Sequence, residues 1–214
     1  LLGTLPLLQV MPACAQTAAE DAGLDAKYFP GFAVKRIDTN GVTIHTVVGG
    51  SGPAVLLIHG APMSHLEWAA VGTQLAKNYT VVVPDLRGYG WSSKPDGGPD
   101  HINYSKRTMA QDLANVMQQL GLNEYHVVGH DRGGRVARRL ALDNPKKVLS
   151  LTVCDIVPEH YLYSHVTREF VDAYFHWFLF LRASPIPEDF VARTGQYASA
   201  GTGELGASFS RVYK

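Results

Sequence analysis

The sequence predicts an α/β protein built on a mostly parallel sheet with helices on both faces. Three observations carry that expectation. A short, wholly apolar run at 54–58 and apolar-rich runs at 80–83, 125–128 and 148–154 recur along the chain, as strands covered on both faces require. Between them lie longer stretches with apolar residues at helical spacing. Strand alternating with helix along one chain is satisfied by parallel strands joined through crossover helices. The chain has 214 residues, 46% hydrophobic and 18% charged, enough for one large domain with a real core.

The elements follow in order. Leu1 to Ala15 carry no charge and end in Ala13-Cys14-Ala15, followed by Gln16. This reads as the remnant of a secretory signal peptide over residues 1–16, with a periplasmic or secreted address. Cleavage there would leave Cys154 as the single cysteine, so no internal disulfide is expected. Cys154, after an apolar strand, is expected to be a small buried hydrophobe. A polar lead-in covers 17–33. Val34 to Asp38 and Val42 to Val48 flank Thr39-Asn40-Gly41, a turn signal, and predict an antiparallel hairpin. The first buried strand is Ala54 to Ile58. Trp68, Val71 and Leu75 then mark a helix, and Thr80 to Val83 a second buried strand.

Met109, Leu113, Val116, Met117 and Leu120 form one stripe of an amphipathic helix, with Ser105 as N-cap and Gly121 as stop. Tyr125 to Val128 is a third buried strand. Val136, Ala137, Leu140 and Ala141 open a helix that Asn144-Pro145 ends. Val148 to Cys154 is the fourth strand of this kind and the sixth in all. From Pro158 the chain turns aromatic, with Phe170, Tyr174, Phe178 and Leu181 at i, i+4, i+8 and i+11. The expected division is a core over 17–157 and part of a helical cap over 158–214.

Composition excludes some partners. Lys plus Arg (19) equals Asp plus Glu (19), so nothing points to nucleic acid or an anionic membrane surface. Beyond the N-terminal stretch, no apolar run is long enough to span a bilayer. A small-molecule substrate is the expected partner, with a homodimer left open. No metal and no organic cofactor is called for.

The chemistry concentrates at Gly129-His130-Asp131-Arg132-Gly133, between the third buried strand and its helix. This is the small-x-nucleophile-x-small pattern of a nucleophile elbow. Esterases and lipases have Ser at the centre; here it is Asp131. A carboxylate can displace a leaving group from a tetrahedral carbon, giving an ester that water must then cleave. His59-Gly60-Ala61-Pro62 follows the first buried strand. In this arrangement the main-chain N–H groups of Ala61 and Arg132 form the oxyanion hole. His130 is expected to pack within the elbow, and His59 to be structural.

These motifs, with Pro84 to Ser92, Gly129 to Pro145 and Tyr174-Phe175-His176-Trp177, resemble the fluoroacetate (haloacetate) dehalogenases of the α/β-hydrolase superfamily. The resemblance runs from about Phe29 to Phe190. It implies the α/β-hydrolase fold with a helical cap inserted after the sixth strand. It implies Asp131 as nucleophile, Asp155 as the acid that orients a catalytic His, and Arg132 and Arg135 as binders of the substrate carboxylate. His176 and Trp177 match its halide-binding pair. Arg suits a carboxylate because its planar fork makes two parallel hydrogen bonds, and an indole N–H suits a departing halide. Arg138 and Arg139 match nothing functional and are expected to be solvated.

The chain departs from the pattern in two ways. Ala61 and Met63 stand where an aromatic residue and Gln are usual, which predicts a wider pocket. The catalytic His should follow the last strand, yet His160, His165 and His176 are the only later histidines. The expectation is a fragment at both ends, lacking strands 7 and 8, with the sixth strand an open apolar edge. Alone it would be unstable, or would form the ester without releasing it. Two other readings stay open. An epoxide hydrolase would use the same Asp131 with two cap tyrosines among Tyr161, Tyr163, Tyr174 and Tyr197. A non-catalytic binding protein could use the same scaffold.

Overall fold

The computed structural model describes residues 18–183 and 185–194. The signal-peptide reading at 1–16, and Tyr197, lie outside the described residues. The strands are β1 (Ala33–Thr39), β2 (Val42–Gly49), β3 (Ala54–Ile58), β4 (Thr80–Pro84), β5 (Tyr125–His130) and β6 (Val148–Cys154). They form one sheet in the order β1-β2-β4-β3-β5-β6. β1 and β2 pair antiparallel, and β2 joins β4 antiparallel. β4, β3, β5 and β6 are parallel. The predicted hairpin is present, and Asn40 and Gly41 both take positive φ (45° and 73°), as a tight turn matched to strand twist needs.

The helices are α1 (Ala18–Tyr28), α2 (Ala69–Leu75), α3 (Lys106–Gln119), α4 (Arg132–Asp143), α5 (Glu159–Ser164), α6 (Arg168–Ala173), α7 (Phe175–Leu179) and α8 (Ile186–Thr194). β3 is central, and all five of its residues are buried. Period-two alternation divides them between two cores. Leu56 and Ile58 pack with Met109, Leu113 and Met117 of α3 and with Val136 and Leu140 of α4. Val55 and Leu57 pack on the other face with Phe29, Val47, Leu66, Trp68 and Val81. Each such side chain contributes about 1.5–3 kcal/mol by leaving water. Ser105 caps α3, its hydroxyl accepting from the Thr108 N–H at 3.1 Å.

Four expectations need correction. β6 is not buried: it stands at the edge of the sheet, with Leu149, Leu151 and Val153 exposed. The open apolar edge expected for the sixth strand is therefore what the described residues present. Cys154 is half-buried rather than buried. Val71 faces solvent although its spacing fits the helix stripe. The aromatic stripe of the cap is not one helix. Tyr174 (φ −118°, ψ 35°) breaks it between α6 and α7, and Leu181 is exposed.

A sealed carboxylate–imidazole network ties α1 to the sheet. Asp25 of α1, His45 of β2, His65 and Asp85 are all buried. The His65 ring lies between two carboxylates, with Nε2 2.9 Å from Asp25 Oδ1 and Nδ1 3.0 Å from Asp85 Oδ1. Burial works against a charged ring, but Asp85 and Asp25 outweigh it and hold His65 up at about 9. Asp85 also accepts the N–H groups of His65 (2.7 Å) and Trp91 (2.8 Å). Although burial opposes its charge, His65 leads the interactions that hold it far below the usual carboxylate range.

Candidate active site

The elbow follows from packing at the end of β5. A side chain at Gly133 would strike the carbonyl oxygens of Ile58 and His59 at 2.3 and 2.4 Å. Only glycine lets α4 start this close to β3. The turn throws Asp131 into positive φ (46°, ψ −118°), a conformation that costs a non-glycine residue about 1–3 kcal/mol. Its N–H donates to the Cys154 carbonyl at 3.0 Å, and its own carbonyl accepts from Gly134 at 3.0 Å. The side chain is thereby held at the C-terminal edge of the sheet, where open α/β sheets bind ligands.

The loop after β3 meets the elbow there. The Ala61 N–H donates to Asp131 Oδ1 at 3.0 Å. His59 shapes this loop: its Nε2 accepts from the Leu86 N–H at 3.0 Å, so its Nδ1 carries the proton and donates to the Gly60 carbonyl at 2.8 Å. Burial lowers its proton affinity, in keeping with a neutral structural ring. His130 is engaged in the elbow, as its sequence position suggested. Its Nδ1 lies 2.6 Å from Glu67 Oε1, and Glu67 Oε2 accepts the Gly60 N–H at 2.9 Å. Burial, with the Asp131 charge adding to it, raises the Glu67 carboxyl above its ordinary range.

A cavity of about 460 Å³ opens over Asp131. Of the residues singled out in the sequence, Ala61, Asp131, Arg132, Arg135, His176 and Trp177 all line it. Arg135 lies one helical turn past the elbow, its guanidinium 4.5 Å from the Trp177 ring centre. Its Nε and Nη2 are buried with no hydrogen-bond partner, and the Glu159 carboxylate is 4.0 Å from Nε. Buried donors left open in this way are strong binding positions for an anion. The Arg132 guanidinium lies 6.0 Å from the Tyr89 ring centre. His176 is held below its ordinary value by burial, against the pull of Asp131, which favours a neutral ring. Arg138 lies 3.8 Å from Glu159, and Arg139 pairs with Asp143.

Asp155 does not line the cavity, and neither do Met63 and Tyr161. Asp155 follows β6 at the same sheet edge, as expected, and also takes positive φ (50°). Its carboxylate is exposed and sits 3.8 Å from His130 Nε2. Two neighbours, Lys106 and Glu67, were missed in the sequence, whereas Tyr163 is among the cap tyrosines it singles out. Lys106 and Tyr163 line the cavity, and Glu67 braces His130 and the loop after β3. Lys106 immediately follows the cap Ser105, so its place on α3 was legible, but not its reach toward α4. Nothing local marks Glu67. Among the described residues, the one grouping with metal-ligand atoms close together is Asp25, His45 and His65. None of the three lines the cavity, and both ring nitrogens of His65 already meet carboxylates.

Comparison with known proteins supports the architecture. The profile of the alpha/beta hydrolase fold matches residues 53–208. The chain is 52% identical over 160 residues to a fluoroacetate dehalogenase of Burkholderia sp., covering 75% of this chain and 53% of that one. It is 44% identical over 119 residues to a soluble epoxide hydrolase of Corynebacterium sp., covering 56% of this chain and 40% of that one. It thus spans about half the length of the curated relatives it matches. Among solved structures, ALR0039 from Nostoc sp. PCC 7120 superposes with a TM-score of 0.79 at 42% identity, over 86% of this chain and 67% of that one. The epoxide hydrolase CorEH gives 0.73 at 29% identity, over 85% and 68%. With the strained elbow, the loop that donates to it and the sheet order all matching that architecture, the chain belongs to the alpha/beta hydrolase fold family and is related to the fluoroacetate dehalogenases.

Proposed function

We propose that this chain carries the nucleophile of a hydrolase that displaces halide from a small 2-halo acid. The observation that carries the reading is Asp131 at the elbow, facing a cavity lined by Arg135 with two unpartnered donors. A substrate carboxylate pairs with Arg135 and Arg132, which sets the adjacent carbon over Asp131. The Ala61 N–H fixes one carboxylate oxygen, and the other attacks. The carbon–halogen bond breaks with its electron pair going to halide. His176 and Trp177 receive the halide, and fluoride, a poor leaving group, gains most from such donors. Water then cleaves the ester, with Asp155 as the acid that orients the general base. The balance is haloacid plus water to hydroxyacid, halide and a proton.

The test is halide release from fluoroacetate and chloroacetate by the intact protein, followed by mass spectrometry of protein quenched during turnover. Added mass on the peptide bearing Asp131 is the expected result. Product without such an adduct, or an adduct elsewhere, overturns the reading. Tyr163 and Tyr174 also line the cavity and favour a second reading, an epoxide hydrolase in which they protonate the opening ring. Diol formation from an epoxide, with no halide release from either haloacid, would select it.

A further inference from the structure

The cavity is more cationic than one carboxylate ligand needs. Lys106, Arg132 and Arg135 line it, against the single carboxylate of Asp131. Glu159 does not line it and is shared between Arg135 (4.0 Å) and Arg138 (3.8 Å). With a monoanion bound and Asp131 ionised, one positive charge stays unmatched. With a dianion bound, the cavity is neutral. We propose that the preferred substrate is a 2-halo dicarboxylate, with one carboxylate held by the α4 arginines and the second by Lys106 from α3. This rests on the halide-displacement reading above and narrows its substrate class.

Geometry supports the assignment. Lys106 is half-buried, at the first turn of α3. Among the described residues its ammonium has no ion pair within 4 Å, and Glu159 and Asp131 attract it only at longer range. Burial first, then the neighbouring Arg132 and Arg135, bring its ammonium down to about 8. A second substrate carboxylate would relieve both effects. A compact ammonium lining the same cavity complements the rigid guanidinium forks of α4. The volume, about 460 Å³, is generous for a two-carbon acid, and Ala61 keeps the wall beside Asp131 small. The reaction is unchanged. Asp131 displaces halide from C2, the halide leaves with the bonding pair, and water releases a 2-hydroxy dicarboxylate, a proton and the free enzyme.

The experiment compares halide release by the intact protein from 2-chlorosuccinate and chloroacetate. The expected ratio of kcat/KM favours the dicarboxylate by about tenfold or more, the gain of one charge-assisted pair. In Lys106→Met the ratio falls to unity or below, and in Lys106→Arg the preference for the dicarboxylate returns. Circular dichroism verifies that both variants are folded. A wild-type preference for chloroacetate, or a ratio untouched by Lys106→Met, overturns the inference while leaving the halide-displacement reading intact. Halide release from neither acid overturns both.

Discussion

Two carboxylate–imidazole assemblies sit in this molecule, and they differ in what they leave unspent. Asp25, His65 and Asp85 are sealed from water, and both His65 nitrogens meet a carboxylate oxygen at 2.9–3.0 Å. Around the elbow, Glu67, His130 and Asp131 are only partly buried, and Arg135 faces the cavity with open donors. The same side-chain chemistry therefore does opposite work. In the sealed group the two carboxylates offset the His65 charge, although Asp25 Oδ2 and the His45 nitrogens make no hydrogen bond. Removing one carboxylate strands its partner in a low-dielectric interior. At the elbow, binding capacity is held open for a ligand. Solvent access, rather than residue type, separates the buried brace from the proposed reactive centre.

That contrast can be broken by substitution. Asp131→Asn keeps an oxygen for the Ala61 N–H and removes the nucleophile. It should lower halide release by about a thousandfold or more with no loss of stability in urea unfolding. A stability loss in its place would make Asp131 a structural residue. Asp85→Asn should do the reverse. It should cost about 3–5 kcal/mol in the same unfolding measurement, because the His65 cation loses a charged partner. Retained stability would mean that the ring is neutral.

The pH dependence sharpens the same point. His65 stands raised from 6.5 to about 9, so its contribution is fully present below about pH 6.5. It is lost as pH rises through about 9, with a slope of at most about 1.4 kcal/mol per pH unit. His65→Asn should flatten unfolding free energy across that window. A slope that survives the substitution would assign the effect to another group. The smallest effect is at Arg135. Arg135→Lys should raise KM for chloroacetate roughly tenfold, since an ammonium cannot reproduce the fork. An unchanged KM would remove Arg135 from substrate binding.

The elbow and the strands were legible because they are local. Gly129, Asp131 and Gly133 lie within five residues; a side chain at Gly133 would strike the Ile58 and His59 carbonyls, and one at Gly129 would strike Gly133 and Ala137 of α4. The β3 run and the Asn40-Gly41 turn are likewise set by short-range rules of burial and twist. The sealed network was not legible. Asp25, His45, His65 and Asp85 come from well-separated segments, and only the sheet order brings them together. The cap failed for another reason: helical spacing cannot report a break such as Tyr174, where the backbone leaves the helix without Gly or Pro to announce it. Exposure of β6 follows from its position in the sheet, which composition alone does not fix.

The left-handed turn at Asp131 has a consequence for how this scaffold can evolve. Glycine would occupy that bend without penalty, so the backbone alone would select against any side chain there. On the proposed reading, an acidic group persists there because it reacts. Copies freed from that role should drift toward glycine or asparagine, gaining thermal robustness as they fall silent.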